Sequence, residues 1–277
     1  MHIANPIYDT VFKYMMGDSK IAKALLSAII GEKIVDLDFS ATEYILKKDI
    51  DKKRLNRTLE QLTVCRFDFA AKIETKTGKY KTVIIELQKS KLATDIMRFR
   101  RYLGEMYQSS ENTYNEKRTK ARQIYCIYFL NYDIGLLGVP IIQVDHIAKD
   151  NTTGKKLSQS SEFIESLNHK SWIIQVEFLK ENRRNDLENL LSVFDQSNRT
   201  NDKHILNIDE SQYPEAYRII IRKLREACES KEVRKQMLIE DDFLSELLDR
   251  DELIAKQAQE IEKLNNLIKK LQNGKPT

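Results

Sequence analysis

RFDFAAKIETKTGKYKTVIIELQ, residues 66–88, is the stretch on which the fold turns. Two alternating apolar runs flank Lys76-Thr77-Gly78. A three-residue loop closing on glycine is a hairpin signal, because glycine takes the left-handed region and forms a bulge. With Thr75 and Lys79 as the closing pair, counting outward sets Lys72 opposite Thr82 and Ala70 opposite Ile84. Asp68 then faces Glu86, and Arg66 faces Gln88. Side chains alternate with period two, so all of these share one face of the hairpin. The other face carries Phe67, Phe69, Ala71 and Ile73 against Val83, Ile85 and Leu87, and reads as core. Turn chemistry and apolar alternation agree on this register, and a one-residue slip would bury Glu86.

Two carboxylates directly opposite on paired strands have Cβ atoms only about 4.5–5.5 Å apart, where like charges repel. A hard divalent cation such as Mg²⁺, which takes one or two carboxylates plus water, would offset that repulsion. Lys72 and Arg66, on the same face, offer a neutralisation that needs no metal. Hairpin chemistry alone leaves both readings open.

Outward from the hairpin, the chain reads as mixed α/β. Asn5-Pro6 has the form of a helix start, asparagine capping and proline at the first helical position. The helical spacing that follows runs to Gly31, with a break near Gly17-Asp18-Ser19. KIVDLDFSATEYIL (33–46) predicts a strand, and 63–75 and 79–88 predict the two arms of the hairpin. An amphipathic helix over 91–110 and an apolar strand over 121–132 complete the first half: helix, three strands, helix, strand around a central sheet. Further strands are predicted at 139–147 and 171–179, then helices over 184–196, 213–229 and 231–249. Over 250–272, Ile254, Ile261 and Ile268 recur every seven residues, with Leu264 and Leu271 between them, which predicts a short coiled coil. The division expected is a core at 1–135, a sheet extension at 136–182, a helical region at 183–249 and the coiled coil at 250–272.

Composition bounds the function classes. The 277 residues are 41% hydrophobic and 32% charged, with a net charge of +4, which permits an acidic partner such as nucleic acid without demanding one. Eight glycines and four prolines argue against a loop-rich all-β fold. Three scattered cysteines without a CxxC pair fit buried thiols in a reducing cytoplasm better than a disulfide framework or zinc site. No secretory signal pattern opens the chain, and the longest apolar runs, such as LLSAII (25–30), are too short for a bilayer. No phosphate-cradling glycine loop suggests a nucleotide cofactor. The expectation is a cytoplasmic protein.

The set Asp68 … Glu86-x-Gln88 resembles the PD-(D/E)XK nucleases, and more closely the bacterial PD-(D/E)XK nuclease family transposases, which include the recombination-promoting nucleases. NPIYDTVFKYMMGD (5–18) resembles the opening helix of that group, and RFRRY (98–102) resembles an Arg-x-x-x-Tyr signature on the helix after the hairpin. The resemblance covers roughly residues 5–132. It implies a restriction-endonuclease-like αβββαβ core with a mixed central sheet, followed by a helical C-terminal region ending in the coiled coil. It also implies a divalent-metal-dependent DNA endonuclease associated with DNA recombination, mobile elements or defence. Position by position, Asp68 and Glu86 would bind Mg²⁺ (or Mn²⁺ or Ca²⁺), and Asp9 would approach the metal through water. Gln88 stands where a lysine is usual. Glutamine can orient water or phosphate but carries no charge, so Lys72 or Arg98 would supply it. Arg98 and Tyr102, four apart on one helix face, would contact phosphate or brace the site.

Other elements carry plainer readings. Asp9 also suits a first-turn acid favoured by the helix dipole. The basic residues Lys47, Lys48, Lys52, Lys53, Arg54 and Arg57 read as a solvated loop, as do Lys117, Arg118, Lys120 and Arg122. Trp172 reads as core. The short coiled coil either adds to a dimer interface formed elsewhere or folds back as an intramolecular helix, and a homodimer or higher oligomer would suit an enzyme cutting both DNA strands. The alternative is a catalytically inactive nuclease-fold protein that binds DNA or a partner.

Overall fold

The hairpin forms in the expected register. In the computed structural model, which describes all residues except 41–42, 47–62, 67, 77, 92–94, 109–120, 137, 160, 182 and 274–277, Lys72 pairs with Thr82, Ala70 with Ile84, and Phe69 with Ile85. Gly78 supplies the positive φ of 72° that closes the turn. The amide of Gly78 donates to the Thr75 carbonyl and that of Thr75 to the Lys79 carbonyl.

In chain order the strands are β1 (His2–Ala4), β2 (Ile34–Phe39), β3 (Glu43–Leu46), β4 (Thr63–Arg66), β5 (Phe69–Thr75), β6 (Tyr80–Gln88), β7 (Gln123–Leu130), β8 (Ile141–Val144), β9 (His169–Gln175) and β10 (Ile205–Asn207). The α-helices are α1 (Asp9–Met16), α2 (Ser19–Ile30), α3 (Asp95–Gln108), α4 (Glu162–Leu167), α5 (Asp186–Leu191), α6 (Arg218–Glu229) and α7 (Lys231–Asn273). A six-stranded mixed sheet runs in the order β2-β5-β6-β7-β9-β8. Its β6–β7 and β7–β9 pairs are parallel and the rest antiparallel. Helix α3 supplies the long crossover a parallel pair requires.

One face of the sheet holds the main core. Phe69, Ala71, Ile73, Val83, Ile85 and Leu87 are buried there, with Tyr125, Ile127 and Phe129 from β7, against α1, α2 and α6. The opposite face is covered too: Ala70, Ile84, Ile124 and Cys126 pack under Met106, Leu103 and Tyr102 of α3. Glu86 is consequently only 4% exposed in its correct register. The slip that would bury it is not needed, because a sheet bearing a parallel crossover is covered on both faces.

Several boundaries differ from the sequence reading. Residues 33–46 and 63–75 each break into two strands, and their inner halves, β3 and β4, pair with each other in a separate two-stranded sheet. Arg66 therefore pairs with Glu43 rather than Gln88. Asp68 lies between β4 and β5, where its carboxylate accepts the Leu87 amide that a continuing ladder would have paired with backbone. Helix α1 starts at Asp9, not after Asn5. The Asn5 carboxamide is instead committed to Gln196 and the Lys203 carbonyl. The expected break does separate α1 from α2: Gly17 ends one, and Asp18 caps the other by accepting from the Lys20 and Ile21 amides.

The second half of the chain is not a train of separate pieces. Strand β10 pairs with β1 at the N-terminus, and Ile220, Ile221, Leu224, Val233 and Met237 join the main core. The predicted helix at 231–249 and the coiled-coil segment form one helix, the 43-residue α7, about 64 Å long. Past residue 241 it projects, leaving Ile254, Ile261, Leu264 and Ile268 exposed. The predicted helix at 184–196 is shorter, α5 passing into 3₁₀ turns at Ser192–Phe194 and Gln196–Asn198. No helix is long and apolar enough to cross a membrane among the described residues. Trp172 is core, stacked 4.9 Å from the Tyr125 ring. The basic segment 47–57, residues 117–120 and Phe67, expected in the core, lie outside the described residues.

Candidate metal centre

Three acids from three separate places meet at the end of the hairpin. Glu86 sits near the carboxyl end of β6, Asp68 at the break before β5, and Asp9 at the first residue of α1. Glu86 is 4% exposed, and its Oε1 atom has no hydrogen-bond partner. Burial pushes its carboxyl well above the usual carboxylate range, and the neighbouring charge of Asp68 adds to that, while Arg98 opposes it. The half-buried Asp68 carboxyl is pushed up to about 8, first by loss of solvation and then by the charge of Asp9. The Leu87 amide and Lys13 pull it the other way.

Asp9 and Asp68 approach within hydrogen-bonding range of each other. Two ionised carboxylates offer only acceptors, so that contact requires a shared proton or a cation. Asp9 Oδ1 is buried with no donor, while Oδ2 accepts from Lys13 Nζ at 2.7 Å. Two orphaned buried oxygens, on Glu86 and Asp9, thus flank an acid that is costly to ionise. That donor set fits Mg²⁺, which takes one or two carboxylates at a site completed by water or substrate oxygens. Among the described residues no three His, Cys, Asp or Glu side chains form a preformed metal cage.

Gln88, 5% exposed, is fully engaged. Its amide nitrogen donates to the Ser90 carbonyl at 3.2 Å, and its oxygen accepts from the Arg98 guanidinium. Arg98 is therefore held by Gln88 and acts electrostatically on Glu86. Gln88 holds an arginine from α3. The structure brings Asp9, Asp68, Glu86, Gln88 and Arg98 together. It places Lys72 elsewhere, two pairs along β5, beside Asp38 of β2. Tyr102 packs into the small core beneath α3.

Sequence reading missed the parts that hold α1 in place. Tyr8, at the N-cap, makes no capping bond. Glu240 of α7 does so instead, accepting from the Asp9 amide at 3.0 Å and the Thr10 amide at 2.8 Å. Asp241 beside it accepts from the Tyr8 hydroxyl at 3.0 Å and pairs with Lys89 at 3.3 Å, Lys203 at 3.1 Å and His204 at 2.8 Å. Lys89 also lies 3.8 Å over the Tyr8 ring. It thus leaves the acid cluster and ties β6 to α7. No local pattern signals a cap provided from 230 residues away. Lys13 was readable as the i,i+4 partner of Asp9.

Two measurements follow from this geometry. Glu240→Ala removes the side-chain cap on α1, and is expected to lower unfolding free energy by about 1–2 kcal/mol in denaturant titrations. The raised carboxyls of Asp68 and Glu86 also make the folded chain bind more protons than the unfolded chain, whose carboxyls titrate near pH 4. Their contribution to metal-free stability is then fullest below about pH 4 and falls as pH rises toward about 8, by up to roughly 1.4 kcal/mol per pH unit for one differential proton. Thermal melts at pH 5.5 and 8 with chelator test the sign, and Asp68→Asn flattens the slope.

No protein-family model, no curated protein and no solved structure matches the chain.

Proposed function

We propose that the protein is a divalent-metal-dependent DNA endonuclease with a restriction-endonuclease-like core, and that its centre is Asp68, Glu86 and Asp9. The observation that carries this reading is the trio of mutually repelling acids with two orphaned buried oxygens. Buried acceptors without donors beside an acid raised by burial and by a neighbouring carboxylate are the arrangement that a bound cation would relieve. The element order α1-α2-β2-β5-β6-α3-β7 around the sheet supports the core assignment.

Asp68 and Glu86 would hold the ion, with Asp9 reaching it through water. When bound, Mg²⁺ supplies Lewis acidity toward a phosphate oxygen and lowers the pKa of a water molecule. Arg98, oriented by Gln88, presents positive charge beside Glu86, where negative charge on the phosphate grows during the reaction. Lys13, held on Asp9, is the second cation at the centre. Lys72 is left outside this scheme.

Plasmid DNA incubated with the purified protein and Mg²⁺ or Mn²⁺ is expected to be nicked and linearised. Titration calorimetry with the same ions is expected to show binding that Glu86→Gln abolishes. Absence of both cleavage and binding would sink the endonuclease and favour the inactive nuclease-fold binding module.

The projecting half of α7 supports a homodimer. Its Ile254, Ile261, Leu264 and Ile268 lie on a heptad stripe and are exposed. The paired substitutions Ile261→Lys and Ile268→Lys are expected to halve the mass seen by light scattering. An unchanged mass would remove the coiled coil from assembly.

A further inference from the structure

A groove of about 700 Å³ lies between α3 and the sheet, on the face that carries Glu86. Phe99, Tyr128, Leu130 and Tyr132 line it, and Lys91 and Arg100 stand among its walls. The Phe99 and Tyr128 rings lie 5.2 Å apart at 46°. Lys91 Nζ is 6.0 Å from the Tyr132 ring centroid.

The groove adjoins the acid centre. Tyr128 is the cross-strand neighbour of Glu86, and Leu130 that of Gln88. Adjacent strands are about 4.8 Å apart. Tyr132 follows the carboxyl end of β7 as Lys91 follows that of β6, so one end of the groove lies past those strand ends, and His169 and Ser171 line it further back along the sheet. We propose that this groove receives one unpaired nucleobase of the strand whose phosphate lies at the acid centre. The inference rests on the phosphodiesterase reading and deepens it.

Three features select this occupant. Aromatic walls suit any base, because every base has a π face. Lys91 and Arg100 give the groove a charge matched to the flanking phosphates, which a hydrocarbon ligand would not use. Tyr128 of the groove and Glu86 of the acid centre stand on neighbouring strands, so a DNA strand with its phosphate at the acids would carry an adjacent base toward the groove. A base stacked in a duplex exposes no face to such a groove, so the occupant is single-stranded or flipped out. The substrate class is accordingly DNA with unpaired nucleotides: single strands, gaps, mismatches or a base extruded from the helix.

The test is fluorescence anisotropy in chelator with a labelled single-stranded 12-mer, the same strand built from abasic nucleotides, and an intact duplex. The base-bearing strand is expected to bind on the order of 10-fold tighter than the abasic one. Val144→Trp, at the exposed groove wall, is expected to bring the affinity for the base-bearing strand down to the abasic value. Tyr132→Ala is expected to lower it on the order of 10-fold. Equal affinity of the two strands for the native chain overturns the proposal, and so does discrimination that survives Val144→Trp. Plasmid cleavage with Mg²⁺ is read in parallel. Cleavage without base discrimination defeats the groove and leaves the nuclease standing. Discrimination without cleavage or metal binding does the reverse, and no binding to any strand defeats both.

Discussion

Asp68→Asn and Glu86→Gln are each expected to lower DNA hydrolysis by about 1,000-fold or more while making the metal-free protein more stable. The two effects have one origin. Glu86 is buried and Asp68 half-buried, and each is held far above its ordinary pKa because ionising it costs solvation and adds repulsion. Replacing either with its amide removes that repulsion, and the Asp68→Asn change retains a side-chain oxygen that can accept the Leu87 amide. The same change removes a ligand oxygen, and with it the several kcal/mol of charge stabilisation that a divalent ion supplies. Cleavage assays give the first number, and urea midpoints above neutral pH give the second. Loss of cleavage with equal loss of stability would point to scaffolding acids, and undiminished cleavage would place the chemistry elsewhere. Mg²⁺ is expected to raise the melting temperature of the native chain more at pH 8 than at pH 5.5, because protons compete with it at the lower pH.

Arg98→Met carries the second large effect, a fall of roughly 100-fold in kcat, the usual consequence of removing one charge donor from a reacting oxyanion. Arg98 also compensates Glu86 and donates to the Gln88 carboxamide oxygen. Removal leaves the buried Gln88 oxygen without that donor and is expected to cost about 1–3 kcal/mol of stability. Arg98→Lys separates the roles. Lysine keeps the charge but lacks the planar fork, so it should recover most of the rate with only part of the stability. Recovery of stability without rate would make Arg98 a purely structural residue. Because Gln88 is neutral, Gln88→Lys is expected to repel Arg98 and to lower stability.

The hairpin was legible because two local rules agree on it. Gly78 and the period-two alternation both select the pairing that sets Ala70 against Ile84, and the structure has that pairing. The break between α1 and α2 was legible for the same kind of reason, Gly17 ending one helix and Asp18 capping the next. Arg98 was visible as one of two cations able to replace the missing lysine. Lys72 could not be eliminated from the sequence. Lys72 shares the hairpin face of the acids and Arg98 lies on the following helix, and only the course of α3 over the sheet brings Arg98 to Gln88.

Other features were beyond local pattern. Period two assigns faces but does not say which faces are covered, so Glu86 looked more open than it is. Helix rules favoured Asn5-Pro6 as a start because Asn5 can cap, yet its carboxamide makes better use of Gln196 and Lys203. Asp9 begins the helix under a cap lent by Glu240. The heptads over 250–272 were visible, but nothing local says that the helix carrying them also anchors the first turn of α1.

The sequence by itself determined the hairpin and its register, since these depend on turn geometry and on interactions between near neighbours. Tertiary structure alone decided that α1 is packed so that Asp9 lies beside Asp68, that Arg98 reaches Gln88 while Lys72 does not, and that a partly aromatic groove lies next to them. Each of those depends on where elements distant in the chain are packed, and burial, which raises the carboxyls, is a property of the whole fold.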